Sequence, residues 1–355
     1  MTKRKTASSR NLPTAAEWKR LYRAAEELKK LAPWRVLYDM DIITIVLPGH
    51  EEPFYCSVLG RGGETYGVCV YPGKDALIRF YRMASGSSPY AVNMFEQKCL
   101  MCNYGDREEV AREDRMVMQE LGLRFRGHNN WIYFRAMEPG YYPWFLNAKQ
   151  VGVLAEVLEN LIMACSYLLR GDIQVDFEAG ETLLRFYSDN DDQWLNTKAA
   201  MPAIPSEQRY VEMADELLVA RLKRQKKKVA PVEIDAFYIP TPVQERKDEI
   251  PRLPYVCMLV DRTSGLVLNQ NMGERDEDPV DTILSVLIPF IEKYGKPDTI
   301  YMRDERMGAV IGTLCKDIGV RTVMGKEMRA MDTVRCPSDS TIPQSPYPSH
   351  ASLFP

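Results

Sequence analysis

The chain has 355 residues, enough for two domains, and 45% of them are apolar, ample for a core in each. Its 46 basic side chains against 49 acidic ones leave a formal charge of −3, which excludes a global field that would select nucleic acid or an anionic membrane. No run of about 18 uncharged apolar residues occurs, against a transmembrane helix, and the eight cysteines, several inside apolar runs, point to a reducing cytoplasm rather than a disulfide frame.

In chain order, residues 1–10 read as a basic, disordered arm with no apolar segment behind it. A helix over 14–31 follows, opened by a Thr14/Glu17 capping box and striped by Trp18, Leu21, Tyr22, Ala25, Leu28 and Leu31. Strands are expected over 41–47, 54–59 and 66–71, the last two joined by the glycine-bearing loop 60–64. A helix over 74–83, a polar helix over 108–121 and short strands at 123–125 and 131–135 come next. Asn147 stands where an N-cap belongs, before a helix over 148–169 that is apolar on more than one face. A strand over 182–187 closes an α+β domain spanning 11–190.

Residues 191–254 read as a linker. It holds a helix over 206–228 that ends in a basic run, then a proline-rich connector. The second domain, 255–335, gives strands at 255–260, 265–272, 298–303 and 320–324, with helices at 279–294 and 306–318. The order is strand, strand, helix, strand, helix, strand, a small α/β domain with a mixed sheet. Residues 336–355 are Ser/Pro-rich and read as a disordered tail.

Asp261 and Asp304 each end an apolar run that reads as a buried strand. Two carboxylates at neighbouring strand ends suit a hard divalent cation, magnesium or manganese. Asp332 or Glu327 would supply the third acid of a two-metal phosphodiesterase site. The same residues also have a purely structural use, because Asp261-Arg-Thr-Ser-Gly265 is a good turn and Asp304 a good N-cap. The strand and helix order resembles the ribonuclease H-like fold of nucleases, integrases and transposases. That resemblance implies one metal-binding aspartate at the end of the first strand and a second just after a later strand of the same sheet, with Asp261 and Asp304 in those positions.

The basic run Arg221, Lys223, Arg224, Lys226, Lys227 and Lys228 is a candidate phosphate-binding patch or a solvated helix end. Cys99-Leu-Met-Cys102 lacks the second ligand pair a structural zinc site needs. The aromatic group from Trp131 to Phe145 would line a ligand groove or pack in the core. With only three histidines, a nucleophilic triad has little to draw on.

The ordered chain is also similar to a family of uncharacterised two-domain bacterial proteins. The likeness rests on Glu52-Pro-Phe-Tyr-Cys-Ser-Val-Leu-Gly60 with Gly63-Glu64, Gly105-Asp-Arg-Glu108, Leu123-Arg-Phe-Arg-Gly127, Pro139-Gly-Tyr-Tyr-Pro143, and Asp261, Gly265, Gly295-Lys-Pro297 and Asp304. It implies a two-domain layout and supplies no catalytic residues. The expected function is therefore a non-catalytic binding or regulatory module for a protein or nucleic-acid partner, with no membrane. The alternative is a divalent-metal-dependent nuclease of ribonuclease H-like type, active or degenerate.

Overall fold

The computed structural model describes residues 12–85, 94–204, 211–227, 230–246, 249–273, 277–325 and 327–335. The basic arm and the Ser/Pro tail lie outside these residues.

The first sheet has seven strands: β1 (Ile43–Val46), β2 (Phe54–Leu59), β3 (Tyr66–Pro72), β4 (Cys99–Gly105), β5 (Trp131–Met137), β6 (Glu181–Ser188) and β7 (Gln193–Ala200). Their order is β5-β4-β3-β2-β1-β6-β7, antiparallel throughout except for the parallel β1–β6 pair. That single parallel contact needs a long crossover, supplied by the chain that carries α4 (Ala148–Arg170).

On one face α4 and α1 (Ala15–Leu31) pack against the sheet, burying Leu21, Leu28, Leu154, Val157, Leu158 and Leu161. The other face is covered by α2 (Gly73–Ser85) through Ala76, Leu77 and Phe80. The polar α3 (Arg112–Glu120) sits at the β5 side and buries only Asp114 and Met118. The two predicted caps close. Thr14 and Glu17 bond reciprocally at 3.2 and 2.6 Å, and Asn147 and Gln150 at 3.0 Å each.

By length and composition α4 is apolar enough to cross a membrane, yet half of its most apolar window is buried inside the fold. Its polar residues are tied to neighbours. Glu159 takes a two-pronged bond from Arg20, and Asn160 accepts from the buried Arg185. The Arg185 contact is buried and the Arg20 contact lies at the surface.

The first domain departs from expectation at three strands. β4 carries the Cys99/Cys102 motif and is buried at every position, so it lacks the alternation that marks a half-exposed strand. Residues three apart on a strand face opposite sides, and Cys99 and Cys102 accordingly enter different core clusters. Burial pushes the Cys102 thiol up to about 12, so it packs as a protonated hydrophobe. β7 was expected as loop; it is a polar edge strand paired along its whole length with β6. The segment 123–125 forms no strand and packs Leu123 and Phe125 onto the core from a loop.

The second sheet has five strands: β8 (Val232–Tyr238), β9 (Tyr255–Asp261), β10 (Val267–Met272), β11 (Thr299–Met302) and β12 (Arg321–Met324), in the order β10-β9-β8-β11-β12. β8, β9 and β10 are antiparallel neighbours; β11 runs parallel to β8 and to β12. Helices α6 (Pro279–Tyr294) and α7 (Glu305–Ile318) are the crossovers and cover one face with Ile283, Leu287, Ile311 and Leu314. The short α8 (Arg329–Arg335) lies on the opposite face.

The expected proline-rich connector is thus incorrect as a linker. Its first part is β8, the central strand of this sheet. Residues 239–254 form the β8–β9 connection, which returns on itself through Val243 and Arg252 and docks on the first domain. There Tyr142 N–H donates to Pro251 O at 2.9 Å, and Leu253 N–H to Gly140 O at 2.8 Å. Of the expected helix over 206–228, the structure describes α5 (Glu216–Lys223), capped by Asp215.

Candidate functional site

β8 reads Val-Glu-Ile-Asp-Ala-Phe-Tyr. Its alternation sends Val232, Ile234 and Ala236 into the core under α6 and α7. Glu233, Asp235 and Phe237 therefore face the other side, beneath α8. Both acids are almost fully buried, each 1% exposed. Burying charge is unfavourable without partners, so the neighbouring elements must supply them.

They supply arginines. Asp235 Oδ2 accepts from Arg335 Nη1 of α8 at 2.9 Å and lies 3.4 Å from Arg303 Nε, one residue past β11. Arg303 also reaches Asp332 of α8 at 2.6 Å. Glu233 Oε2 accepts the Met331 amide at 2.8 Å, in the first turn of α8, and its other oxygen is 3.5 Å from Arg262. Arg262 stacks over the Tyr301 ring at 3.6 Å, and Arg335 over Phe237 at 4.1 Å. Burial pushes the Asp235 carboxyl above its ordinary range, against the pull of Arg335, Arg303 and the Ala236 amide; the charge of Asp304 pushes the same way as burial.

Asp304 stands at the carboxyl end of β11 and is 5% exposed. It caps α7, accepting from the Arg306 amide at 2.9 Å, and takes a second bond from Arg306 Nη2 at 2.6 Å. Arg306 then reaches across to Glu96 of the first domain at 2.8 Å, and Glu96 lies 3.7 Å from Arg79. Burial works against the Arg306 charge, but the Asp304 hydrogen bond and the Glu96 charge outweigh it and raise its pKa. Phe95, Tyr142, Phe237, Tyr238, Leu253 and Tyr255 form an apolar cluster beside this bridge, so the ionic chain runs along a domain junction.

The expected Asp261/Asp304 pair is not a pair. Val232 is opposite Asp261 across β8–β9, and Ile300 is beside Val232 across β8–β11. Asp304 is thus about four residues further along and two strands over, roughly 15 Å away at ordinary strand rise and spacing. β9 runs antiparallel to β8, so its carboxyl end lies on the opposite rim from that of β11. Asp261 instead closes its own turn. Its Oδ1 accepts from the Ser264 amide and hydroxyl and the Thr263 amide, which hold its carboxyl below the ordinary range.

A shared magnesium or manganese ion between Asp261 and Asp304 does not fit this geometry. Asp235, Asp304 and Asp332 each face a guanidinium group. No group of three or more His, Cys, Asp or Glu with metal-holding geometry occurs among the described residues.

Asp332 does reach the site, though through Arg303 rather than a cation, and it remains half exposed. Glu233 and Asp235 were missed because their strand was read as connector. The signal available was the period-two pattern Val232, Ile234, Ala236 with acids between.

The basic run divides. Arg221 pairs with Glu292 at 2.5 Å and Lys227 with Asp298 at 2.8 Å. Lys223, Arg224 and Lys226 are exposed and form no ion pair among the described residues; Lys228 lies outside them. Lys296 donates to the carbonyls of Lys223 and Ile318 at 2.8 Å each, and so closes the carboxyl ends of α5 and α7 together. The aromatic group is mostly packing. Tyr133 and Phe134 are buried, and Arg135 lies between the Tyr133 and Phe145 rings. His50 packs on Phe54, and His128 pairs with Asp106.

Two family models match this chain. Residues 18–185 are similar to the domain of unknown function DUF7309, and residues 218–336 to the domain of unknown function DUF6930. The chain therefore carries two domains, and the second match includes β8. No curated protein matches it. Among solved structures, the cryo-EM structure of the simian T-cell lymphotropic virus intasome in complex with the PP2A regulatory subunit B56 gamma matches with 13% identity and a TM-score of 0.23. That match covers 32% of this chain and 41% of the other, and at that TM-score it carries no argument.

Proposed function

We propose that this protein is a non-catalytic binding module whose second domain is a degenerate ribonuclease H-like scaffold. One observation carries the reading: the central-strand acid Asp235 is held between Arg303 and Arg335, while Asp304, after the neighbouring parallel strand, is held by Arg306. Three antiparallel strands followed by two parallel ones through helical crossovers support the scaffold reading. With β8 as the first strand of the domain, the acid on that strand nearest to the first position of the resemblance is Asp235, which lies mid-strand rather than at its end. A cation at these acids would have to displace guanidinium groups that also fasten α8 and the domain junction. Binding then falls to the surface. Lys223, Arg224 and Lys226 are the exposed charges suited to an anionic partner such as nucleic acid.

A second reading has its own support. The charge of Asp304 adds to burial in pushing the Asp235 carboxyl up, as a second acid of a metal site would. One assay separates the two. The full chain is incubated with single- and double-stranded DNA and RNA in magnesium or manganese, beside Asp235→Asn. No metal-dependent cleavage by either protein is expected; cleavage by the wild type that Asp235→Asn abolishes would establish the nuclease. Affinity for single-stranded DNA is then measured against salt. Replacing Lys223, Arg224 and Lys226 with alanine is expected to flatten the log–log slope by about two, near 0.7 per lost phosphate contact. Absence of salt-dependent binding in the wild type would leave a protein as the partner.

A further inference from the structure

A cleft in the first domain has the opposite electrostatic character from the acid cluster. It is about 540 Å³ in volume and lies between the end of α1, the turn after it, the β2–β3 loop and the turn before β5. That volume is within the range of small-molecule sites, roughly 300–1,000 Å³. Lys29, Arg35, Arg61 and His128 line it, and none of its described lining residues is a carboxylate. In a chain of net negative charge, Lys29, Arg35 and Arg61 are a local concentration of cations.

What holds those cations matters more than their number. In the second domain each arginine of the network faces an acid. Here the partners of Lys29 and Arg61 are neutral. Lys29 Nζ donates to Asn129 O and Asn130 Oδ1, and Arg61 Nη1 donates to the carbonyls of Arg35, at 2.9 Å, and Val36. The Arg61 guanidinium also lies over the Tyr38 ring at 4.3 Å. Both groups are thus fixed in place while their charge stays uncompensated, and donors remain. An ammonium has three N–H groups and a guanidinium five.

Acids stand behind the walls. Asp106 holds His128 Nδ1 at 2.6 Å and accepts the Asn129 amide at 2.7 Å, which orders the turn and leaves His128 Nε2 with no hydrogen bond among the described residues. Asp41 feels the charge of Arg61, but it accepts from the Tyr38 amide and forms no ion pair with Arg61 among the described residues. Partial burial lowers the Lys29 pKa, as expected of a cation with no acid beside it.

The cleft also has an aromatic side. The Trp34 and Tyr66 rings meet edge-on at 5.3 Å. They close over Gly60, where an added Cβ would fall 2.5 Å from the Tyr66 ring and 3.0 Å from Trp34 Cβ, at a φ of +132°. Gly60 is therefore required for the ring pair to sit against the loop that carries Arg61. Cations and aromatic rings lining one cleft match a ligand with a negative group joined to a flat ring.

We propose that this cleft binds a mononucleotide, with its phosphate on Lys29, Arg61 and His128 and its base against Trp34 and Tyr66. The inference concerns the first domain and stands apart from the reading of the acid cluster.

The test is isothermal titration of the full chain with the four ribonucleoside 5′-monophosphates, with the matching nucleosides and inorganic phosphate as separate arms. At least one nucleotide is expected to bind with a Kd below about 1 mM, more tightly than its nucleoside and than phosphate alone. Arg61→Ala is expected to weaken that binding about ten-fold or more, by loss of a charge-assisted contact. Lys29→Met, at a different wall, should weaken it as well, and circular dichroism and thermal melting establish that each variant is folded. Gly60→Ala is expected to weaken nucleotide and nucleoside and to leave phosphate less affected. No binding of any nucleotide to the wild type, phosphate binding as tight as the nucleotide, or an unchanged Kd in folded Arg61→Ala and Lys29→Met would each overturn the proposal.

Discussion

Arg335→Met tests whether the acid cluster is a closed electrostatic lock. The substitution keeps an apolar stem over Phe237 and removes the charge. Of its charged partners Asp235 then retains only Arg303, whose Nε is 3.4 Å away without hydrogen-bond geometry, beside the Ala236 amide at 3.0 Å. Removing one partner of a buried ion pair costs about 3–5 kcal/mol, and the surviving arginine places this case near the lower end, about 3 kcal/mol. The stacking of Arg335 on Phe237 contributes up to ~1 kcal/mol within that figure. A loss of this size lowers the melting midpoint of a domain this large by roughly 10 °C. The choice of probe follows from the sequence. All five tryptophans, Trp18, Trp34, Trp131, Trp144 and Trp194, belong to the first domain, so their fluorescence reports chiefly on that domain. Calorimetry sees both domains.

The effect has a pH signature. The folded-state pKa of Asp235 is raised, so its ionised form is a burden that is full at neutral pH and relieved as pH falls through the folded value toward the unfolded one, about 3.9. Losing Arg335 raises the folded value further. The deficit of the variant against wild type should therefore be largest at neutral pH and shrink on acidification. Adding Asp235→Asn to Arg335→Met should recover part of the loss, because a neutral amide needs no counter-ion. A deficit below about 1 kcal/mol, a deficit that grows on acidification, or strict additivity of the two substitutions would refute the lock.

Two further outcomes are expected. Lys296→Met should cost about 1–2 kcal/mol in the second domain, since one ammonium serves the carboxyl ends of two helices, and hydrogen exchange should quicken at the ends of α5 and α7 together. Glu96→Gln cuts the ionic link between Arg79 and Arg306 and should pull the melting transitions of the two domains apart while lowering that of the second by about 1–2 kcal/mol.

Elements with strong local signals were legible in the sequence. The Thr14 and Asn147 caps, the β2–β3 hairpin and the α6–β11–α7–β12 run all declare themselves within a few residues. What was hidden depends on distant partners. β4 is buried on both faces, so nothing alternates. β7 is polar and becomes a strand only because β6 offers it a full register. β8 was masked by Pro231 before it and Pro240, Pro242, Pro251 and Pro254 after it. Prolines at the end of a strand and in its connection do not disqualify the strand between them. Its two acids also made the pattern look exposed, and only the arginines of α8, of the β9–β10 turn and of the residue after β11 make their burial possible.

That one missed strand accounts for the error at the site. Counting the domain from β9 makes Asp261 the end of a first strand and invites a parallel relation to β11. Inserting β8 at the centre reverses β9 relative to β11 and moves Asp261 to the opposite rim. The acid that takes its place, Asp235, lies mid-strand and level with Arg303. The two sites of the molecule then differ in a simple way. Where carboxylates are met by guanidiniums, as at Asp235 and Asp304, the charges are spent on each other and hold elements together. Where cations are held by neutral carbonyl and amide oxygens, as at Lys29 and Arg61, the field remains available to a ligand. The arrangement of partners, more than the presence of charged residues, separates the fastening in the second domain from the open cleft in the first.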